Sequence, residues 1–229
     1  MKTLLLRVLA AGVTLALTTA AWAATPVGQV LLSVGQAGAK SGEQYRALER
    51  RAEIFEGDTL ITGPGDSQLQ VRMVDGALIA LGGDSRFEVK TYRFNQPGQS
   101  DEVVLSLAKG ALRTVTGQAD KSAYKMTYPT GTLGIRGTVY EMLVAPDGTA
   151  TIVLREGAVA ASSLSGQTVL INQPGTGVTV SDTVSSPGVI TDPAVVAALI
   201  GILGMPTEIL PDGTAVYSFD VPEATNASP

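Results

Sequence analysis

The sequence predicts an all-β fold of short strands, built as a β-solenoid-like roll or a two-sheet sandwich and followed by one short C-terminal helix. Three observations lead there. Turn dipeptides punctuate the chain. Asp75-Gly76, Asp147-Gly148 and Asp212-Gly213 sit between apolar or β-branched runs, and Pro64-Gly65, Pro97-Gly98, Pro174-Gly175 and Pro187-Gly188 add further turns. The stretches between them alternate. In Gln68-Leu69-Gln70-Val71-Arg72-Met73 the apolar Leu69, Val71 and Met73 fall on one face and polar groups on the other, and Arg113-Thr114-Val115-Thr116 and Thr149–Leu154 read similarly. Finally, the chain echoes itself. Gly65-Asp66-Ser67-Gln68-Leu69-Gln70-Val71 matches Gly83-Asp84-Ser85-Arg86-Phe87-Glu88-Val89 in its Gly-Asp-Ser start and apolar register. A charged residue and Gly precede apolar strands at Glu56-Gly57, Lys109-Gly110 and Glu156-Gly157. Stacked strand units of this kind bury a continuous core.

Taken in order, the chain opens on Lys2 and Arg7, an apolar run from Val8 to Leu17, and Ala21-Trp22-Ala23. A charged start, a short apolar core and an A-x-A end make residues 1–23 a secretory signal peptide. The apolar run falls short of the ~20 residues a spanning helix needs, and the absence of Cys removes a lipid-attachment site. The mature protein is expected to begin at Ala24, periplasmic or secreted, without stable membrane insertion after cleavage. Residues 24–163 read as the all-β domain. Residues 164–190, rich in Ser, Thr, Gly and Pro, read as irregular strands or a linker, 191–220 as a short apolar helix plus a β-hairpin, and 221–229 as a frayed tail.

The helix is well punctuated: Asp192 as N-cap, Pro193 at the first helical position, Gly204 past the end. It is apolar on every face, with Val195, Val196, Leu199, Ile202 and Leu203 forming the bulkier stripe. Such a helix must be buried. The expected burial is against one end of the β-core as a cap; the alternative is docking to a partner or self-association with a second copy.

Composition narrows the chemistry. The chain carries a formal charge of −5, and the basic Lys2 and Arg7 lie in the signal, so the mature protein is more acidic still. That balance argues against nucleic acid and anionic headgroups, which need clustered Lys and Arg. Without Cys or His there are no disulfides, thiolate zinc sites, Ser-His-Asp arrangements or most transition-metal sites. No cofactor is expected. Carboxylate chemistry and oxygen-only calcium binding remain open. For calcium, Asp66, Asp75 and Asp84 recur every nine residues, and stacked turns would gather them as ligands. The preference of Asp for turns explains the same recurrence, no EF-hand pattern is present, and no metal is expected.

Tyr128-Pro129-Thr130-Gly131-Thr132-Leu133-Gly134-Ile135-Arg136-Gly137-Thr138-Val139-Tyr140-Glu141 closely resembles the signature of FecR domains, where a Gly-Ile-Arg-Gly-Thr turn leads into an aromatic strand. Gly57–Gly65, Val74–Gly82, Lys109–Gly117 and Glu156–Val159 resemble the family's flanking segments in the right order, covering roughly Val27 to Ser163. The resemblance implies a periplasmic all-β domain used in sensing and signal transmission. The namesake regulators carry a cytoplasmic anti-sigma domain and a membrane anchor where this chain has a cleavable signal, so direct contact with a sigma factor is not expected.

Within the signature, the spacing of Gly131, Gly134 and Gly137 does not fit a nucleotide-phosphate loop. These glycines are expected to permit a tight turn or a close approach of backbones. Arg136 is expected to pin the turn by pairing with an internal acid such as Glu141 or Asp75; gripping a carboxylate or phosphate ligand is the alternative. With Ile135 and Thr138 these residues form a structural or recognition motif. No catalytic residue is assigned. The expected function is that of an exported, non-enzymatic FecR-type module that engages an envelope protein partner in sensing, signal relay or scaffolding. The alternatives are a cell-wall or glycan-associated structural protein and, further off, a carboxylate-dependent hydrolase.

Cleavage after Ala23 would remove Trp22, the chain's single Trp. Protein recovered from the periplasm should begin at Ala24 and show tyrosine-only fluorescence; a tryptophan emission band would refute cleavage there.

Overall fold

The computed structural model describes residues 25–203 and the strand residues 208–209 and 215–216. The expected signal peptide, the turn at Pro211-Asp212-Gly213 and the expected tail lie outside the described residues, as does the side chain of Leu203.

Strands β1 to β9 run Gly28–Val34, Ala37–Ser41, Gln44–Ala47, Glu53–Ile54, Thr59–Thr62, Gln68–Met73, Leu78–Leu81, Arg86–Arg93 and Glu102–Val115. Strands β10 to β16 run Tyr124–Tyr128, Gly131–Ile135, Val139–Val144, Ala150–Glu156, Val159–Ser163, Thr168–Ile171 and Gly177–Val180. Helix α1 spans Pro193–Leu203, and β17 (Glu208–Ile209) pairs with β18 (Ala215–Val216). Strands β1 to β16 join in one 16-stranded, unclosed sheet.

The sheet has two halves that share β9. Its first part, up to Lys109, pairs with β8 and β10. Its second part, from Gly110, pairs with β7 and β12. The first half-sheet therefore runs β4-β1-β6-β7-β9-β12-β13-β16, and the second runs β3-β2-β5-β8-β9-β10-β11-β14-β15. Residues from both halves form one core: Val71, Leu81, Leu112 and Tyr140 from the first, Leu60, Phe87, Leu105 and Met126 from the second. Of the two expected architectures, this is the layered one. Pairing is antiparallel at every named junction except β9–β10, whereas solenoid rungs would stack in parallel. The regular turn spacing that suggested rungs comes from hairpins.

The crossing at Gly110 is forced. Its φ is +94°, open to glycine and closed to most side chains, and a Cβ there would stand 2.5 Å from the Ser85 Cα. The Ser85 hydroxyl fills the space instead. It donates to the Ala111 carbonyl at 3.2 Å and accepts from the Ala111 N–H at 3.0 Å. Residues 164–190 supply β15 to one half and β16 to the other, and the outer edge of β16 is met by Val184 and Gly188.

Helix α1 corrects an expectation. It begins as expected, with the Asp192 carboxylate accepting the Ala194 N–H at 2.8 Å. It does not cap an end of the core. It lies across the outer face of the first half-sheet, where Leu199 and Ile202 are buried against Ala80, Ala111 and Val153, with Val195 and Leu143 at the margin. Those small and apolar side chains occupy outer positions that simple alternation would have made polar, and covering them fixes where the helix goes. Val196 is half-buried, and Ile200 remains 58% exposed on the far side.

Ile202→Ala should lower the unfolding free energy by about 2–4 kcal/mol, read from urea unfolding. An unchanged midpoint would mean that α1 adds nothing to the stability of the sheet.

Candidate functional site

The charged residues of the resembling segments are mostly consumed in holding the fold. Asp58, fully buried, caps its own turn by accepting the Phe55 N–H at 2.8 Å. It also takes both terminal nitrogens of Arg46, one of them at 2.9 Å, while the guanidinium lies 5.2 Å from the Phe55 ring centroid. Glu141, on the outer side of β12 and also fully buried, accepts two bonds from Arg155 on β13, at 2.7 and 3.1 Å. Arg113 stands across from Glu141 on β9. Burial lowers the Arg113 pKa, and the Glu141 charge opposes that fall.

Asp75 ties the two halves together. It sits in the β6–β7 turn of the first half, where Oδ1 accepts the Ala77 N–H at 3.0 Å and the Tyr92 hydroxyl at 2.6 Å. Oδ2 accepts the Tyr124 hydroxyl, whose oxygen in turn accepts the Gly117 N–H at 3.0 Å. Tyr92 and Tyr124 belong to β8 and β10 of the second half. Burial, and after it the Asp75 charge, pushes the Tyr92 phenol well above the usual range. The nine-residue recurrence of Asp does not gather carboxylates: Asp66 and Asp84 lie exposed at one end of the β6–β7 hairpin and Asp75 lies buried at the other.

Arg136 departs from its expected role. Glu141 and Asp75 are both engaged elsewhere, and Arg136 is exposed at the end of β11, with no ion pair among the described residues. Its N–H donates to the Ala158 carbonyl at 3.2 Å, and its side chain borders a hollow of about 430 Å³ with Ser122, Gly134, Ala158, Ala160 and Leu170. The other signature residues divide. Gly131 is needed for close approach, since a Cβ there would stand 1.9 Å from the Ser162 carbonyl oxygen. Gly137 has φ +67°, the region that favours glycine. Gly134 needs no such freedom; a Cβ would meet only the Ala160 carbonyl oxygen, at 4.0 Å. Ile135 points into the core. Thr138 is buried, and its N–H donates to the Thr116 hydroxyl at 2.8 Å.

The sequence reading missed what surrounds Arg136. Lys125 on β10 and Lys121 before it are exposed and, like Arg136, form no ion pair among the described residues. Their nearness comes from strand order, which no local pattern reports. A second hollow, of about 850 Å³, lies between α1 and the turns holding Asp66 and Asp84, with Lys109, Asp192 and Gly201 on its rim. Of the residues singled out for docking, Leu199 and Ile202 are spent on the sheet.

Residues 58–160 match the family model described as FecR protein. No curated protein matches the chain. Two crystal structures of a candidate anti-sigma factor from Parabacteroides distasonis, at 1.65 and 2.50 Å resolution, are similar at TM-score 0.45, with 13% and 14% identity over 60% of this chain. The chain spans 62% of the length of those structures.

The buried phenols set an alkaline limit. Burial raises the pKa of Tyr92, Tyr128 and Tyr140, while in the unfolded chain they ionise near pH 10. Below that pH both states keep the proton. Above it the unfolded state loses protons that the folded state retains, so stability falls as pH rises. Absorbance titration should show these three ionising only together with unfolding; free titration near pH 10 in the folded protein would refute their burial.

Proposed function

Starting from the FecR domain that residues 58–160 carry, we propose that the chain is an exported, non-enzymatic binding module that engages a protein partner in envelope sensing, signal relay or scaffolding. The observation that carries this reading is the contrast among its signature charges. Asp58, Asp75 and Glu141 are buried and bonded to Arg46, to two tyrosines and, through Oε2 of Glu141, to Arg155. Arg136, in the signature turn itself, is left exposed beside a hollow. A guanidinium with no ion pair among the described residues suits recognition of an external acid. The commitment of Asp58 and Asp75 to structure also supports binding over hydrolysis at the signature segments.

A second reading has one observation in its favour. The outer faces of β10, β11, β14 and β15 carry the hydroxyl row Thr127, Thr132, Ser162 and Thr168, which suits a glycan.

Two measurements decide between them. A photo-crosslinking residue at exposed position 200 or 170 should trap one envelope protein in cells, while purified peptidoglycan should fail to sediment the protein. Arg136→Ala should leave the thermal midpoint within about 1 °C and reduce the crosslink, because an exposed side chain away from any tie costs little stability. Sedimentation with peptidoglycan and no protein crosslink would favour the glycan reading.

A further inference from the structure

The hollow beside Arg136 forms a shallow trough on the outer face of the second half-sheet, floored by Gly134 and Ala160 and flanked by Leu170. Strand register lines up Lys125, Gly134, Ala160 and Leu170 on β10, β11, β14 and β15. The middle pair has almost no side chain, and the outer pair stands up on either side. Three interstrand steps put Lys125 and Leu170 roughly 14 Å apart, wide enough for one extended chain. Ala158, beside Arg136, continues the bare floor. Leu170 is 55% exposed, an apolar wall facing the cationic one.

Gly134 is the telling residue. Neither its φ nor a neighbouring atom excludes a side chain there, and a strand interior gains nothing from glycine. The gap it leaves is open to an incoming group. Around that gap Arg136, Lys125 and Lys121 gather positive charge in a chain whose overall charge is −5. Asp120, the nearest exposed acid in sequence, is held by the Ser122 hydroxyl and N–H, which keep its pKa low.

We propose that this trough binds an extended acidic segment of a partner protein, with one aliphatic side chain over Gly134 and Ala160 against Leu170 and a carboxylate between Arg136 and Lys125. The inference rests on the binding-module reading and names the surface and the chemistry of the partner. The carboxylate supplies an ion-pair partner, which these cations do not have among the described residues. The aliphatic group fills the floor and removes Leu170 from water. Extended backbone fits the trough because the walls run along the strands.

The test pans a displayed library of random dodecapeptides on the purified protein, then measures the enriched peptides by fluorescence anisotropy. Asp or Glu close to an aliphatic residue should be enriched. Gly134→Val fills the trough at a position where a Cβ meets open space, so it should keep the thermal midpoint and weaken binding at least tenfold. Arg136→Glu should weaken it by a similar factor and serves as the second probe if Gly134→Val fails to fold. Enrichment of neutral or basic peptides, no enrichment, preferential binding of phosphatidylglycerol vesicles, or full affinity in the folded variants would each overturn the proposal. A crosslinker at position 200 that traps a partner while one at 170 traps none would overturn this surface and leave the binding module standing.

Discussion

Everything in this fold depends on β9 passing from one half-sheet to the other at Gly110. A strand of 14 residues would ordinarily commit to a single sheet. Here the φ of +94° and the Ser85 hydroxyl, which bonds both polar groups of Ala111, let it serve two. The two halves then close over one core, and β9 joins them by pairing into one continuous sheet. The Asp75 knot repeats the tie from the opposite direction, with a turn of the first half holding tyrosines of the second.

This arrangement explains why the signature segment can be both buried and available. Hairpin β10–β11 contributes Ile135 and Leu133 to the core, so its backbone is rigid. Its alternate residues, Thr132, Gly134 and Arg136, face outward as period two requires. Rigid backbone under a bare outer face is a suitable platform for recognition, because little has to be ordered on binding. Helix α1 covers part of the outer face of the first half-sheet, whereas the outer face of the second is exposed around Arg136.

The sequence made much of this legible. Alternation at Leu69, Val71 and Met73 identified an inward face that the structure retains, and Asp192-Pro193 marked the helix start to the residue. Gly-Asp-Ser at 65–67 and 83–85 did mark equivalent places, where Ser67 accepts the Gln36 N–H at 3.3 Å and Ser85 braces Ala111. What stayed hidden depends on strand order. The row from Lys125 to Leu170 joins four strands with no common local pattern. The placement of α1 is set by outward apolar residues such as Ala80 and Val153, scattered over strands far apart in the chain. Arg136 lacks the pairing expected of it because Glu141 is taken by Arg155 and Asp75 by Tyr92 and Tyr124, partners that strand order supplies.

The ties that hold the halves together contain no sulfur. Small exported domains commonly staple their layers with disulfides, and their integrity then tracks the redox poise around them. Here a carboxylate shared by two phenols and a strand shared by two sheets do the fastening. The chain has no Cys at all, so neither thiol exchange nor a missing oxidant can loosen the fold, and it can reach its final form without an oxidative folding catalyst.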